Sequence, residues 1–227
     1  MFDNDCLRIA AQIEAVVVSV EYRLAPEHRF PSGVEDCYTA LTWVAEHADE
    51  LGIDRERLGV GGESAGGGLA AAVALMARDR GGPALCFQWL GIPEIDDRLN
   101  TPSAVAFVDT PQWDRRAAEI SWNHYLGPGV PGTDGVSPYA APARATDLSG
   151  LPPAFVTACE FDPLRDEGLT YALRLIQAGV PTEVVHYPGT FHGAHLIKSV
   201  VSDRMLADQT AALRRGLKAD ESIETSV

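Results

Sequence analysis

The sequence predicts an α/β fold: a mostly parallel sheet with helices on both faces. Short, β-branched and nearly all-apolar runs recur at residues 15–20 (AVVVSV), 57–61, 85–90, 154–158 and 183–187, as expected of strands buried on both faces. Segments with helical spacing of apolar residues lie between several of them, at 34–51, 65–80, 165–178 and 200–217. Strands alternating with helices of this length imply parallel pairing through right-handed crossovers. The chain of 227 residues, 46% hydrophobic and 22% charged, suffices for one domain with a sizeable core.

Taken in order, the chain opens with MFDNDCLRIA, acidic where a secretory signal would be basic and then apolar, and no apolar stretch reaches the length of a membrane span. A cytoplasmic location is the expectation. The interruption of the alternation comes at 96–153, rich in Pro, Gly and Asp, with one convincing helix at 114–126 that carries Trp122 and Tyr125. So long an excursion between two strands reads as an insertion over one end of the sheet, a lid or pocket wall. The acidic tail at 219–227 is expected to fray.

Charge and cysteines exclude several functions. A net charge of −14 argues against nucleic acid, whose phosphates require clustered Lys and Arg. Cys6, Cys37, Cys86 and Cys159 are far apart and lack ligand spacing for zinc, so they read as reduced, mostly buried side chains. No metal is expected, and the partner is a small molecule rather than a membrane. A homodimer is left open.

Gly62-Glu63-Ser64-Ala65-Gly66 fits G-x-S-x-G, with a strand-like LGVGG before it and a small-residue helix after it. A nucleophile elbow requires that strand, sharp turn and helix, because the serine is strained and tolerates only small neighbours such as Gly62 and Gly66. The turn puts Ser64 at a helix N-terminus, so the Ala65 N–H is a candidate oxyanion donor. Serine needs a base, and of six histidines His192 stands out, in the turn Pro-Gly-Thr-Phe-His-Gly after a parallel strand, where sites in such sheets form. His195 competes with it, and His28, His47, His124 and His186 have ordinary structural readings. The base needs a carboxylate. Asp162 follows the strand AFVTA in CEFDPLRDE; its competing reading is a cap for the next helix, while Asp166 and Glu167 read as first-turn acids or ion-pair partners. The chain order Ser64, Asp162, His192 is that of α/β-hydrolases.

With these residues in place the chain resembles the hormone-sensitive-lipase-like α/β-hydrolases, the bacterial family IV esterases. The matching segments include residues 21–27 (EYRLAPE), Phe30-Pro31, 62–67 (GESAGG), Asp96-Asp97-Arg98, Ser137-Pro138, 151–153 (LPP), 162–168 (DPLRDEG) and 187–193 (YPGTFHG). The resemblance implies hydrolysis of carboxylic esters of short to medium acyl chains through an acyl-enzyme, without metal or organic cofactor, with Ser64 as nucleophile, Asp162 as acid and His192 as base. The His-Gly-Gly-Gly stretch that family members carry upstream of YRLAPE, and that supplies most of their oxyanion hole, does not occur here. Residues 4–12 then correspond to the helix after the family's third strand. An N-terminally truncated catalytic domain is expected, with 96–153 as a partial cap. A slot about 9–10 Å wide, twice the strand spacing, would separate AVVVSV from RLGVG. Each lost oxyanion donor would cost about 10² to 10³ in rate. The competing expectations are a weakly active or inactive remnant, a ligand-binding relative, and an amidase or carbamate hydrolase using the same triad.

Overall fold

A computed structural model describes residues 3–218. In chain order these form α1 (Asp3–Ile13), α2 (Ser32–Glu46), α3 (Ala48–Leu51), β1 (Gly59–Glu63), α4 (Ala65–Asp79), β2 (Phe87–Gly91), α5 (Pro102–Ala106), α6 (Arg115–Leu126), β3 (Ala154–Phe161), α7 (Arg165–Gln177), β4 (Thr182–Phe191) and α8 (Val200–Gly216). The strands form one parallel sheet in the order β1-β2-β3-β4, each neighbour also the next in sequence. No helix among the described residues is long and apolar enough to cross a membrane. The expected fraying of 219–227 lies outside the described residues.

Side-chain alternation along the strands sorts the helices onto two faces. Leu90, Ala154 and Val156 pack with Ala71, Ala74 and Leu75 of α4 and with Tyr171, Ala172 and Leu175 of α7. Phe87 and Phe155 face the other way, against Ile13 of α1 and Ala212 and Leu213 of α8. The helix α2 packs outside α4 through Val34, Leu41, Val73 and Met76. The insertion at 96–153 contributes α5, α6 and a short 3₁₀ turn, with a core of its own in which Trp122 packs with Leu99, Ala118 and Val136. Two ion pairs on buried carboxylates anchor it: exposed Arg98 grips Asp96, and Arg144 grips Asp97 at 2.6 Å. The second helix, α5, escapes the period test because it spans only five residues; Thr101 caps it with Pro102 in the first turn.

Three further expectations need correction. Residues 15–20 form no strand: Val16 and Val18 are exposed, and 15–24 has no regular structure. Their β-branched composition suits a pleated surface, but a strand exists only as part of a ladder. The sheet ends at β1, and no strand among the described residues pairs with this segment. The slot expected between AVVVSV and RLGVG is therefore not bounded by two strands. The helix expected over 34–51 breaks at His47 into α2 and α3, and β1 begins at Gly59 rather than at Arg57, which closes a 3₁₀ turn capped by Asp54.

The two kinds of valine-and-leucine run therefore differ in energetic weight. Leu90→Ala, in the middle of the sheet, is expected to cost about 2–5 kcal/mol, whereas Val16→Ala should stay within about 0.5 kcal/mol. Urea denaturation of the two variants measures the difference; a large loss for Val16→Ala would restore a buried strand at 15–20.

Candidate active site

The sheet brings three chain segments to its C-terminal edge. Ser64 follows β1 and opens α4 with φ 56° and ψ −122°, a strained conformation for a residue with a side chain. It is locked by the exit of β2: the Ser64 N–H donates to Gly91 O at 2.8 Å, and Ser64 O accepts from Gly68 N and Glu94 N at 3.0 and 3.1 Å. Gly62 is obligatory for this turn, since a Cβ there would lie 2.5 Å from the Gly66 backbone. Gly66 is not, because a Cβ on it would meet open space. This narrows the expected steric demand to one side of the elbow. Ala65 is the first helical residue of α4, and its N–H has no intrahelical acceptor.

Asp162 and His192 come from adjacent strands. The pairing of Cys159 with Tyr187 and then of Phe161 with Phe191 leaves β4 two residues richer, at Pro188-Gly189, a bulge that brings the two strand ends level. Glu160 accepts the Gly189 N–H at 2.6 Å and so ties the acid loop to this bulge. The residue after each paired Phe is then Asp162 or His192. Asp162 is fully buried. Its Oδ1 accepts the Leu164 N–H at 2.9 Å, and its Oδ2 lies 2.8 Å from His192 Nδ1. The capping role fails, since Leu164 occupies the N-cap of α7 without any side-chain cap. His192 Nε2 lies 2.9 Å from Ser64 Oγ, across 128 positions of sequence. With the ring proton on Nδ1 donated to Asp162, Nε2 is left to accept the serine hydroxyl.

The remaining acids and histidines have other partners. Asp166 pairs with Arg165 and accepts the Ser103 N–H, while buried Glu167 accepts the N–H groups of Ile95 and Asp96, work for the insertion rather than for the base. His195 pairs with Glu63 at 2.5 Å. His47 stacks on Trp43. Among the described residues no group of three His, Cys, Asp or Glu side chains could hold a metal ion, and the four cysteines are unbonded.

Two further groups stand beside Ser64, Asp162 and His192. Trp113, in the loop just before α6, stacks on the His192 ring with centroids 5.7 Å apart and planes at 30°; its aromatic identity was a signal, but its target was not. Glu94 follows β2, has no cationic partner among the described residues, and accepts the Ser121 hydroxyl of α6 at 3.2 Å. Burial pushes its carboxyl up to about 8, the Ser121 hydrogen bond working against this and the Asp162 charge adding to it. Only a Pro-Glu at a strand exit marked it in the sequence.

Comparison with known proteins follows the same lines. A family model described as alpha/beta hydrolase fold matches residues 1–196. Carboxylesterase NlhH of Mycobacterium tuberculosis (strain CDC 1551 / Oshkosh) is 44% identical over 218 residues, covering 92% of this chain and 66% of that protein. A solved structure named bacterial heroin esterase superposes with a TM-score of 0.94 at 54% identity, over 95% of this chain and 69% of that one. Esterase LipW from Mycobacterium marinum superposes with a TM-score of 0.88 at 43% identity, over 95% and 68%. The chain thus spans about two thirds of the length of the relatives it matches.

Two outcomes test this geometry. Gly62→Ala should cost most of the folded, serine-reactive protein, whereas Gly66→Ala should stay within a few-fold of the parent, as counted by fluorophosphonate labelling of soluble protein; equal effects would contradict the one-sided elbow. Glu94 keeps its proton in the folded state up to about pH 8, while the unfolded carboxyl releases it near 4.5, so the folded state binds more protons in that window and stability falls as pH rises through it. Glu94→Gln should flatten that fall, by an amount on the order of a few kcal/mol at about 1.4 kcal/mol per pH unit. Thermal melts of both proteins at several pH values across the window measure it.

Proposed function

The chain belongs to the alpha/beta hydrolase fold family, in its hormone-sensitive-lipase-like esterase branch, and from that premise we propose that it is a serine carboxylesterase using Ser64, His192 and Asp162. The observation that carries this reading is the continuous chain of hydrogen-bonding atoms from Ser64 Oγ through the His192 ring to Asp162, at 2.9 and 2.8 Å, beside the N-terminus of α4.

The chemistry follows from those atoms. His192 Nε2 takes the Ser64 proton as Oγ attacks the ester carbonyl, and the Asp162 carboxylate stabilises the imidazolium that forms. The carbonyl oxygen gains charge in the tetrahedral intermediate, and the free Ala65 N–H and the positive end of the α4 dipole favour it. The imidazolium returns its proton to the alcohol oxygen as the C–O bond breaks, leaving an acyl group on Ser64. A water deprotonated by the same Nε2 then attacks the acyl carbon, and the carboxylic acid departs with Ser64 re-protonated. No metal or organic cofactor takes part.

The substrate in this reading is a small carboxylic ester with a short to medium acyl chain, within a single catalytic domain capped in part by 96–153. Trp113 brings the insertion to the base itself, which supports a cap role for that segment. The activity named for the relatives supports the ester over other acyl substrates.

Hydrolysis of p-nitrophenyl butyrate tests the proposal. Ser64→Ala should reduce the rate to the solution background, and Asp162→Asn should lower kcat by about 10⁴, the loss expected when the histidine is held in the wrong tautomer. A Ser64→Ala protein as fast as the parent would end the assignment.

A further inference from the structure

The sheet order sets a mechanical problem for the site. β1, which carries Ser64, and β4, which carries His192, are separated by β2 and β3. Three inter-strand steps of about 4.8 Å lie between their axes. The loop after β4 must therefore reach over two strands to meet the serine. Among the described residues two contacts join the end of β1 to that loop: Ser64 with His192, and Glu63 with His195.

The second contact is built into the molecule. Glu63 ends β1 and directly precedes Ser64, and His195 lies three residues past His192 in a 3₁₀ turn that begins after Gly193 at φ 75°. Glu63 Oε2 meets His195 Nε2 at 2.5 Å. The pair lines a small cavity on the α8 side of the sheet, with Trp89, Thr157, Tyr187 and Gln209. His195 Nδ1 is buried without a protein partner. The charged groups facing the pair come from α1, in Asp5 and Arg8, and Arg8 is itself engaged by Gln209 and Thr210 of α8. From β4, Tyr187 donates its hydroxyl to Asp208 rather than to the pair.

We propose that Glu63 and His195 are a positioning pair for the triad, an ion pair that holds the nucleophile turn and the base loop in register across the sheet. The inference rests on the assignment of Ser64 and His192 above. The reaction itself supplies the need. Once Ser64 is acylated its hydrogen bond to His192 is gone, and Glu63–His195 is then the tie that remains while His192 aligns the incoming water. Misplacement of a catalytic group by about 1 Å can cost about 10² in rate, so the pair acts on kcat and leaves substrate binding alone.

Burial alone would lower the His195 pKa, but the hydrogen bond and charge of Glu63, with Asp5 adding and Arg8 opposing, hold it above the ordinary imidazole value. The ion pair is therefore intact below that raised pKa and is lost as pH rises through it.

The test uses the full chain with Glu63→Gln, Glu63→Asp and His195→Gln. Turnover of p-nitrophenyl butyrate is normalised to fluorophosphonate-labelled sites, and the low-field proton resonance of the His192 Nδ1–H is followed by NMR. The expected result is a fall in kcat of about tenfold for Glu63→Gln and His195→Gln, with KM within about twofold, partial recovery in Glu63→Asp, an alkaline decline in kcat for the parent, and its loss in both neutral variants. The His192 resonance should broaden or shift in both neutral variants. Unchanged kcat per labelled site together with an unchanged resonance in either folded variant overturns the proposal. Should the parent prove no faster than Ser64→Ala, it is the esterase reading that fails, and the resonance alone then decides the pair: perturbed in the variants it stands, unperturbed it falls.

Discussion

The close approach of α4 to the ends of β1 and β2 is the constraint on which the rest of the site depends. Ser64 adopts a left-handed φ that costs on the order of 1–3 kcal/mol and persists only where its surroundings dictate it. They do so through three backbone hydrogen bonds to Gly91, Gly68 and Glu94. Those bonds exist only because the helix begins in near contact with the sheet: a Cβ on Gly67 would stand 3.0 Å from Gly91 O and 3.1 Å from Gly62 O. The alanines that follow, Ala70, Ala71, Ala72 and Ala74, keep the same spacing along the helix and leave no bulk to push it away. Burial of α4 from Gly67 to Ala77 and strain at the serine are thus two aspects of one packing decision.

Much of this was legible in the sequence, and the reasons can be named. Small residues after a strand signal an elbow because only they permit the turn, and strand ends in a parallel sheet share one edge, so the meeting of Ser64, Asp162 and His192 could be expected from motif spacing, strand-end placement and family resemblance together. Residues 15–20 were misread because composition reports suitability for a pleated surface, and the presence of a pairing partner is a fact about the rest of the chain. Glu94 and the Glu63–His195 contact were invisible for a related reason. Their significance lies in what faces them across the sheet or from the insertion, and neither relation has a fixed spacing in sequence. Gly66 is the converse case, a residue the motif requires and the local sterics do not.

The insertion makes contact with both ends of the hydrogen-bond chain that joins the proposed catalytic residues. Trp113 covers the His192 ring, while Ser121 holds Glu94 close enough to Asp162 for their charges to interact. A neutral Glu94 leaves the Asp162 carboxylate as the negative charge that the imidazolium meets, whereas an ionised Glu94 would add a second negative charge in a buried setting. The ion pairs of Asp96 with Arg98 and Asp97 with Arg144 root the insertion beside the same strand exit. Movement of this segment would therefore be felt as an electrostatic change as well as a steric one.

The 128 positions between Ser64 and His192 also set when the site can first exist. At about 5–20 residues per second of synthesis, the serine turn emerges many seconds before the base that would activate it. A nascent chain can fold β1, α4 and β2 into a local unit, but its strained serine has no proton acceptor until β4 has paired with β3. In the proposed reading, topology alone therefore sets the order in which nucleophile and base become available.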